Sequence, residues 1–204
     1  MGKLRLAVLA SGRGTNLQAL IDAIAAGELE AEIAVIISNR RDAQALERGR
    51  KHQIPLCFLD PREYIDSDAY DRALVAVWQE YKVDLVVLAG FMRLLGPEAV
   101  RAYRNRIVNI HPSLLPSFPG LNAQAQAVAY GVRYSGCTVH FVDEGMDTGP
   151  IILQAVVPVK EDDNPETLAA RILKEEHRLY PRAIQLFAEG RLEVVGRRVR
   201  IKDK

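Results

Sequence analysis

Three runs of this chain are apolar at nearly every position rather than at every second one: Leu4–Ala10, interrupted only by Arg5, Ile33–Ile37 and Leu85-Val86-Val87-Leu88-Ala89. A strand that hides all its side chains must be covered on both faces, which is the condition of a parallel sheet. The segments between these runs carry the helical period. Leu17, Leu20, Ile21 and Ile24 mark one helix, stopped by Gly27, Ala43 to Lys51 reads as a second, and Leu74, Val77, Trp78 and Tyr81 mark a third. Pro55 to Leu59 reads as another strand, Pro97 to Tyr103 as a short helix and Arg106 to Ile110 as a further buried strand. The alternation predicts an α/β fold, a Rossmann-like and mostly parallel twisted sheet with helices on both faces. From about Cys137 the pattern changes. Thr138–Phe141 and Ile151–Val159 are strands joined by an acidic loop with no helix, so this end should be mixed or antiparallel. Asn164-Pro165 starts a helix running to about Glu189 with a break or kink at Pro181, and Leu192 to Ile201 makes a terminal hairpin around Gly196.

At 204 residues the chain is expected to be one domain, with residues 1–105 as a phosphate-binding half and 106–204 as a catalytic half. Its net charge of +1 gives no bulk attraction for nucleic acid or membrane, which leaves small molecules as partners. Cys57 and Cys137 have neither metal-ligand spacing nor the look of a disulfide framework. The N-terminal apolar run is too short for a signal peptide or a membrane span, so the expected location is cytoplasmic. A monomer or a homodimer is compatible with these totals.

The densest chemistry lies in Asn109-Ile110-His111-Pro112-Ser113-Leu114-Leu115-Pro116. Residues two apart on a strand project to one side of the sheet, so an amide and an imidazole meet at a strand's carboxyl end. In open α/β sheets that edge is where ligands bind. Pro112, Pro116 and Pro119 then hold a stiff, irregular loop. The plainer alternative is a loop histidine and a strand-end asparagine that merely satisfy backbone groups.

Gly12-Arg13-Gly14-Thr15-Asn16-Leu17 has two glycines of a dinucleotide fingerprint but leucine at the third, and the second strand ends in Asn39 rather than an acid. A full dinucleotide site is therefore not expected. A phosphate site is, because amides at Gly14, Thr15 and Asn16 would open a helix N-terminus; a tight turn with an Asn or Thr cap is the alternative. Asp143-Glu144-Gly145-Met146-Asp147-Thr148-Gly149-Pro150 carries three carboxylates on a path fixed by glycine and proline. One of them near His111 would orient the ring and favour the imidazolium. Asn, His and Asp are the parts needed to form and collapse a tetrahedral acyl intermediate when the substrate brings its own amine.

These stretches, with Leu88-Ala89-Gly90-Phe91-Met92-Arg93, Asp147-Thr148-Gly149-Pro150, Glu176-His177 and Tyr180-Pro181, resemble the folate-dependent formyltransferases over about the whole chain. The resemblance implies transfer of a formyl group from 10-formyltetrahydrofolate, used as co-substrate without a metal, to the amine of glycinamide ribonucleotide. It implies Asn109, His111 and Asp147 as the catalytic trio, and Gly14, Thr15, Asn16 and Glu176 as ligands of the ribonucleotide. Met92, Arg93, Leu94, Leu95 and Asn109, with Asp143, Glu144, Gly145, Met146 and Asp147, would line the folate pocket. Read alone, Arg93 could equally sit in a surface salt bridge, Met92, Leu94 and Leu95 in an ordinary core, and Glu176 on a solvated helix face.

Two departures from the family pattern stand out. Asn122 and Gln124 occupy positions where histidines are common, and Ser67 replaces a frequent arginine, an exchange Arg62 or Arg72 could offset. Two rival members transfer the formyl group to methionyl-tRNA or hydrolyse the formylated folate. The first normally adds a C-terminal RNA-binding domain and the second an N-terminal regulatory one. A non-catalytic phosphate sensor is the rival from another class.

Overall fold

The computed structural model describes residues 2–203, and within it the chain divides into two compact units, residues 1–109 and 110–204. The fold is mixed α/β, with mostly parallel strands, surrounding helices and antiparallel strands near the C-terminus. The first unit contains β1 (Leu4–Leu9), α1 (Thr15–Ala25), β2 (Ala31–Ser38), α2 (Gln44–Lys51), β3 (Leu56–Phe58), α3 (Ser67–Glu80), β4 (Leu85–Leu88) and α4 (Pro97–Ala102). It ends in β5 (Ile107–His111), whose last two residues open the second unit. The strands run in the order β3-β2-β1-β4-β5 and every pair is parallel. This is the doubly wound arrangement, and its order reverses direction between β1 and β4.

The core explains why these runs are continuous in hydrophobicity. Leu6, Ala7, Val8 and Leu9 of β1, with Leu85, Val86 and Val87 of β4, have no exposed surface. Leu17 and Leu20 of α1 and Leu74 and Trp78 of α3 are equally buried, so the helical stripes supply the cover that two-faced strands require.

The second unit holds α5 (Ala123–Tyr130), β6 (Tyr134–Phe141), β7 (Ile151–Pro158), α6 (Pro165–Ala188), β8 (Leu192–Val195) and β9 (Arg198–Ile201). The pairs β6/β7 and β8/β9 are antiparallel, and β7 joins β9 in parallel. Helix α6 packs on β6 and β7. Its start is a capping box: Asn164 accepts from the Thr167 amide and the Thr167 hydroxyl accepts from the Asn164 amide.

Two expectations are corrected and one helix is added. Of the break or kink expected near Pro181, the break is overturned: α6 is one helix of 24 residues with that proline inside. The turns on both sides bury Tyr180, Ala183 and Ile184, and that packing outweighs the single backbone hydrogen bond a proline removes. Helix α5 has no counterpart in the sequence reading, because Ala-Gln-Ala-Gln-Ala-Val-Ala-Tyr offers alanines instead of large apolar residues to mark a face. Strand β6 begins four residues earlier than Thr138, since Gly136 conceals the pattern. An added Cβ at Gly136 would lie 1.9 Å from the Ala155 carbonyl oxygen, which is what requires glycine there.

Gly14 is the N-cap of α1, in the left-handed region at φ 70°. A Cβ built there would sit 2.8 Å from both Cα and Cβ of Ala45 at the start of α2. Gly14→Ala should therefore destabilise the chain by about 1–3 kcal/mol, measured as a lowered urea midpoint with an unchanged slope.

Candidate functional site

In the first unit the loops after β1, β2 and β4 are tied by one hydroxyl. Ser11 Oγ donates to Asn39 Oδ1 at 2.6 Å and accepts from the Met92 amide at 2.8 Å, while the Ser11 amide donates to the Gly90 carbonyl at 3.0 Å. Ser11 is 3% exposed, so these bonds are protected from water. The loop continues to Gly14, which contributes no side-chain cap to α1. The first-turn amides of that helix, from Thr15 onward, have no partner within the helix and carry its positive dipole end. Asn16 is buried on the first turn. The arrangement can hold an anion of phosphate size.

The segment after β4 presents Met92 and Leu94 to solvent, 66% and 70% exposed, so neither is an ordinary core residue. Arg93 forms no salt bridge among the described residues. Its guanidinium lies over the Tyr70 ring at 4.7 Å, and its buried Nε has no hydrogen-bond partner. Leu95 is half-buried. The arginines that could stand in for one at Ser67 are already engaged: Arg62 pairs with Asp60 at 2.6 Å and Arg72 with Glu98 at 3.0 Å. The Arg62 guanidinium and the Arg62 backbone amide, both bonded to Asp60, pull that carboxyl down to about 2.

Strand β5 carries Asn109 and His111 two residues apart, with His111 5% exposed as its last residue. His111 Nδ1 lies 3.4 Å from Asp147 Oδ2 in the second unit. Its other nitrogen, Nε2, is 2.8 Å from the Phe118 carbonyl oxygen. A carbonyl only accepts, so Nε2 carries a hydrogen, and Nδ1 is the nitrogen turned to the carboxylate. Asp147 Oδ2 also accepts from the Gly120 amide at 2.8 Å. The loop before Asp147 is closed on itself: Asp143 Oδ1 accepts from Thr148 Oγ1 at 2.6 Å and from the Gly145 amide at 3.1 Å. Glu144 and Met146 are exposed along it.

The loop following His111 is fixed by a neighbouring strand pair. Thr138 Oγ1 donates to the Ser113 carbonyl at 2.7 Å and accepts from the Leu115 amide at 3.1 Å. Gln154 Nε2, across the β6/β7 ladder, donates to Thr138 Oγ1 and to the Leu115 carbonyl, both at 3.0 Å. Glu176 is 8% exposed on α6 rather than on a solvated face. Burial first, then the Glu176 charge, pushes the Cys137 thiol up to about 12, so this cysteine is inert at neutral pH.

One residue escaped the sequence reading. His140, 2% exposed on β6, points Nε2 at Asp147 Oδ1 from 3.7 Å while Nδ1 donates to the Phe141 carbonyl at 2.8 Å. Its only sequence signal is a titratable residue inside an otherwise apolar strand, on the same strand parity as Thr138. Asp147 thus has an imidazole at each oxygen. Among the described residues no His, Cys, Asp and Glu group forms a metal-ligand cluster, and no helix is long and apolar enough to cross a membrane.

One unit carries a doubly wound sheet with a glycine turn at a helix start, the other a strand-end histidine facing an aspartate loop, and the chain belongs to the formyl transferase family, whose model matches residues 4–184. Among individual proteins, it is 44% identical to the phosphoribosylglycinamide formyltransferase of Escherichia coli over 94% of this chain and 90% of that protein. It is 49% identical to the trifunctional purine biosynthetic protein adenosine-3 of Drosophila pseudoobscura over 94% of this chain, and spans only 14% of that longer protein. The crystal structure of glycinamide ribonucleotide transformylase 1 from Symbiobacterium toebii superposes with a TM-score of 0.97 at 56% identity, covering 98% of this chain and 95% of that one.

Burial lowers the affinity of the His140 ring for a proton, and His111 nearby adds to this; the Phe141 carbonyl, Asp147 and Asp143 act in the other direction without reversing it. The unfolded chain, with an ordinary histidine near 6.5, therefore binds the proton more readily. Stability supplied by neutral His140 is present above that pH and is lost as pH falls below it, by at most about 1.4 kcal/mol per pH unit. Urea unfolding between pH 7.5 and about 5.5 should show this slope in the wild type and a smaller one in His140→Gln.

Proposed function

We propose that this chain transfers the formyl group of 10-formyltetrahydrofolate to the amine of glycinamide ribonucleotide, N1-(5-phosphoribosyl)glycinamide, in purine synthesis in the cytoplasm. The observation that carries this reading is the 3.4 Å approach of His111 Nδ1 to Asp147 in a chain of this family. The amine attacks the formyl carbon, the carbonyl π pair moves to oxygen, and a tetrahedral intermediate forms. The Asn109 amide donates to that oxyanion, and His111 Nδ1 is the ring nitrogen left to exchange a proton there, because Nε2 is held by Phe118. Asp147 takes the proton shed by the attacking amine, directly or through a water, and the same proton passes to the folate nitrogen as its bond to the formyl carbon breaks. The products are the formamide and tetrahydrofolate, and no protein nucleophile is consumed.

Gly14, Thr15 and Asn16 hold the ribonucleotide phosphate on the amides of α1, and Glu176 accepts from its ribose hydroxyls. Met92, Leu94, Leu95 and the 143–147 loop give the folate ring and its linker an apolar and polar lining. Arg93, whose buried Nε has no hydrogen-bond partner, is the cation this reading assigns to the carboxylate end of the folate.

Removing one oxyanion donor typically costs about 10²–10³ in turnover, so Asn109→Ala and His111→Ala should each lose roughly that much kcat. Turnover of His111→Ala within about threefold of wild type would remove His111 from the reaction. Asp147→Asn keeps the shape but not the charge; it should lower kcat and leave ribonucleotide affinity unchanged. The purified chain, given 10-formyltetrahydrofolate and each acceptor in turn, should form product with glycinamide ribonucleotide. Release of formate at the same rate without any acceptor would overturn the transferase reading in favour of a hydrolase.

A further inference from the structure

Two contacts set the His111–Asp147 geometry, and both come from the backbone of one tripeptide. The Phe118 carbonyl accepts from His111 Nε2 at 2.8 Å, and the Gly120 amide donates to Asp147 Oδ2 at 2.8 Å. That same Oδ2 is the atom 3.4 Å from His111 Nδ1. Between this carbonyl and this amide stands Pro119. Its ring locks φ, so a single soft dihedral, the ψ of Pro119, separates the group that grips the histidine from the group that grips the aspartate.

The conformation is costly and is held in place. Phe118 sits at φ 52°, a left-handed backbone that a bulky residue rarely adopts, and Gly120 follows at φ 78°. Rotating Phe118 back to an extended φ of about −120° would swing its carbonyl to the far side of the chain, away from His111. Several contacts oppose that rotation. Ser113 Oγ lies 2.5 Å from the Ser117 carbonyl and 3.3 Å from that of Phe118. Gln126 of α5 donates to the carbonyls of Pro119 and Leu121 at 3.3 and 2.9 Å. The Phe118 ring meets Tyr130, also of α5, edge to face at 5.8 Å. A Cβ at Gly120 would come within 3.3 Å of Met146 Sδ, beside Asp147 in its loop. Backbone strain this well supported is a feature to be explained by function rather than a defect.

We infer that Phe118-Pro119-Gly120 is a positioning clasp, in which the left-handed backbone of Phe118 fixes the proton on His111 Nε2 and the Gly120 amide fixes the carboxylate opposite Nδ1. The inference rests on the reading that His111 and Asp147 carry the reaction, yet it makes a claim about the ligand-free protein that can be tested without turnover. Residue 118 acts through its backbone, so the order of its variants should follow their tolerance of positive φ and not their resemblance to phenylalanine.

The test compares Phe118→Asn, which tolerates the left-handed region, with β-branched Phe118→Val, which does not. The ring nitrogens of His111 are read by ¹⁵N NMR in the full ligand-free chain, next to kcat and KM for both substrates. Phe118→Asn should keep the Nε2–H form dominant and kcat within about threefold of wild type. Phe118→Val should show a mixed tautomer population and lose about tenfold in kcat, the scale of one neutral hydrogen bond, with both KM values within about twofold. Equal behaviour of the two variants, or a dominant Nε2–H form in Phe118→Val, overturns the clasp. If Phe118→Val does not fold, Pro119→Ala decides, since it releases the locked φ and leaves both backbone groups in place. It should mix the His111 tautomers, and an unchanged spectrum overturns the proposal. A retained Nε2–H signal pattern alongside a fully active His111→Ala would instead sink the catalytic reading and leave the clasp standing.

Discussion

The proposed chemistry of this chain depends on a carboxylate held against a buried imidazole whose other nitrogen is already spoken for. His111 donates from Nε2 to a carbonyl that can do nothing but accept, so only Nδ1 can exchange a proton. Asp147 faces that nitrogen with an oxygen that also receives the Gly120 amide. Burial makes the arrangement matter: His111 is only 5% exposed, and a low local dielectric strengthens contacts that water would weaken. His140, buried and with its affinity for a proton lowered by that burial, lies 3.7 Å from the second oxygen of Asp147.

The scaffold reaches this geometry by an economical use of strand ends. In the first unit, parallel strands deliver the loops after β1, β2 and β4 to one edge, and the buried hydroxyl of Ser11 ties the three together. In the second unit, the antiparallel β6/β7 pair sets Thr138 opposite Gln154 and so pins both sides of the Ser113–Leu115 loop. In both places buried hydroxyl and amide groups pair with backbone and side-chain partners, which is how irregular loops remain ordered. Among the described non-glycine residues at positive φ, Phe118, Asn122 and Asp147 lie in the loops around His111 or Asp147, while Gln53, Lys82 and Asn105 lie elsewhere in the chain.

Much of the fold was legible because hydrophobic pattern and burial coincide. Leu85–Leu88 reads as a two-sided strand and is buried at all four positions; Leu74 and Trp78 mark the inner face of α3 as their spacing implies. What was illegible had weak or misleading local chemistry. Alanines hid α5, a glycine hid the start of β6, and Pro181 suggested a break that the packing of Tyr180, Ala183 and Ile184 prevents. At the site, Asn109 and His111 stand out in the sequence as a strand-end Asn-x-His, whereas the Gly-rich loop offers three carboxylates and only the family resemblance singled out Asp147 among them. His140 does not, since a single histidine in an apolar strand looks the same whether it faces a carboxylate or only a backbone carbonyl.

The sequence by itself determined the element types, the parallel sheet order's raw material and the inventory of reactive groups, because periodicity and residue chemistry are local properties. Only the tertiary structure decided which groups meet. It brought a carboxylate 36 positions later in the chain to within 3.4 Å of His111, and it chose the nitrogen that faces it through the carbonyl of a left-handed phenylalanine. Long-range contacts and backbone dihedrals of this kind are set by packing across the whole unit, and no short stretch of residues encodes them alone.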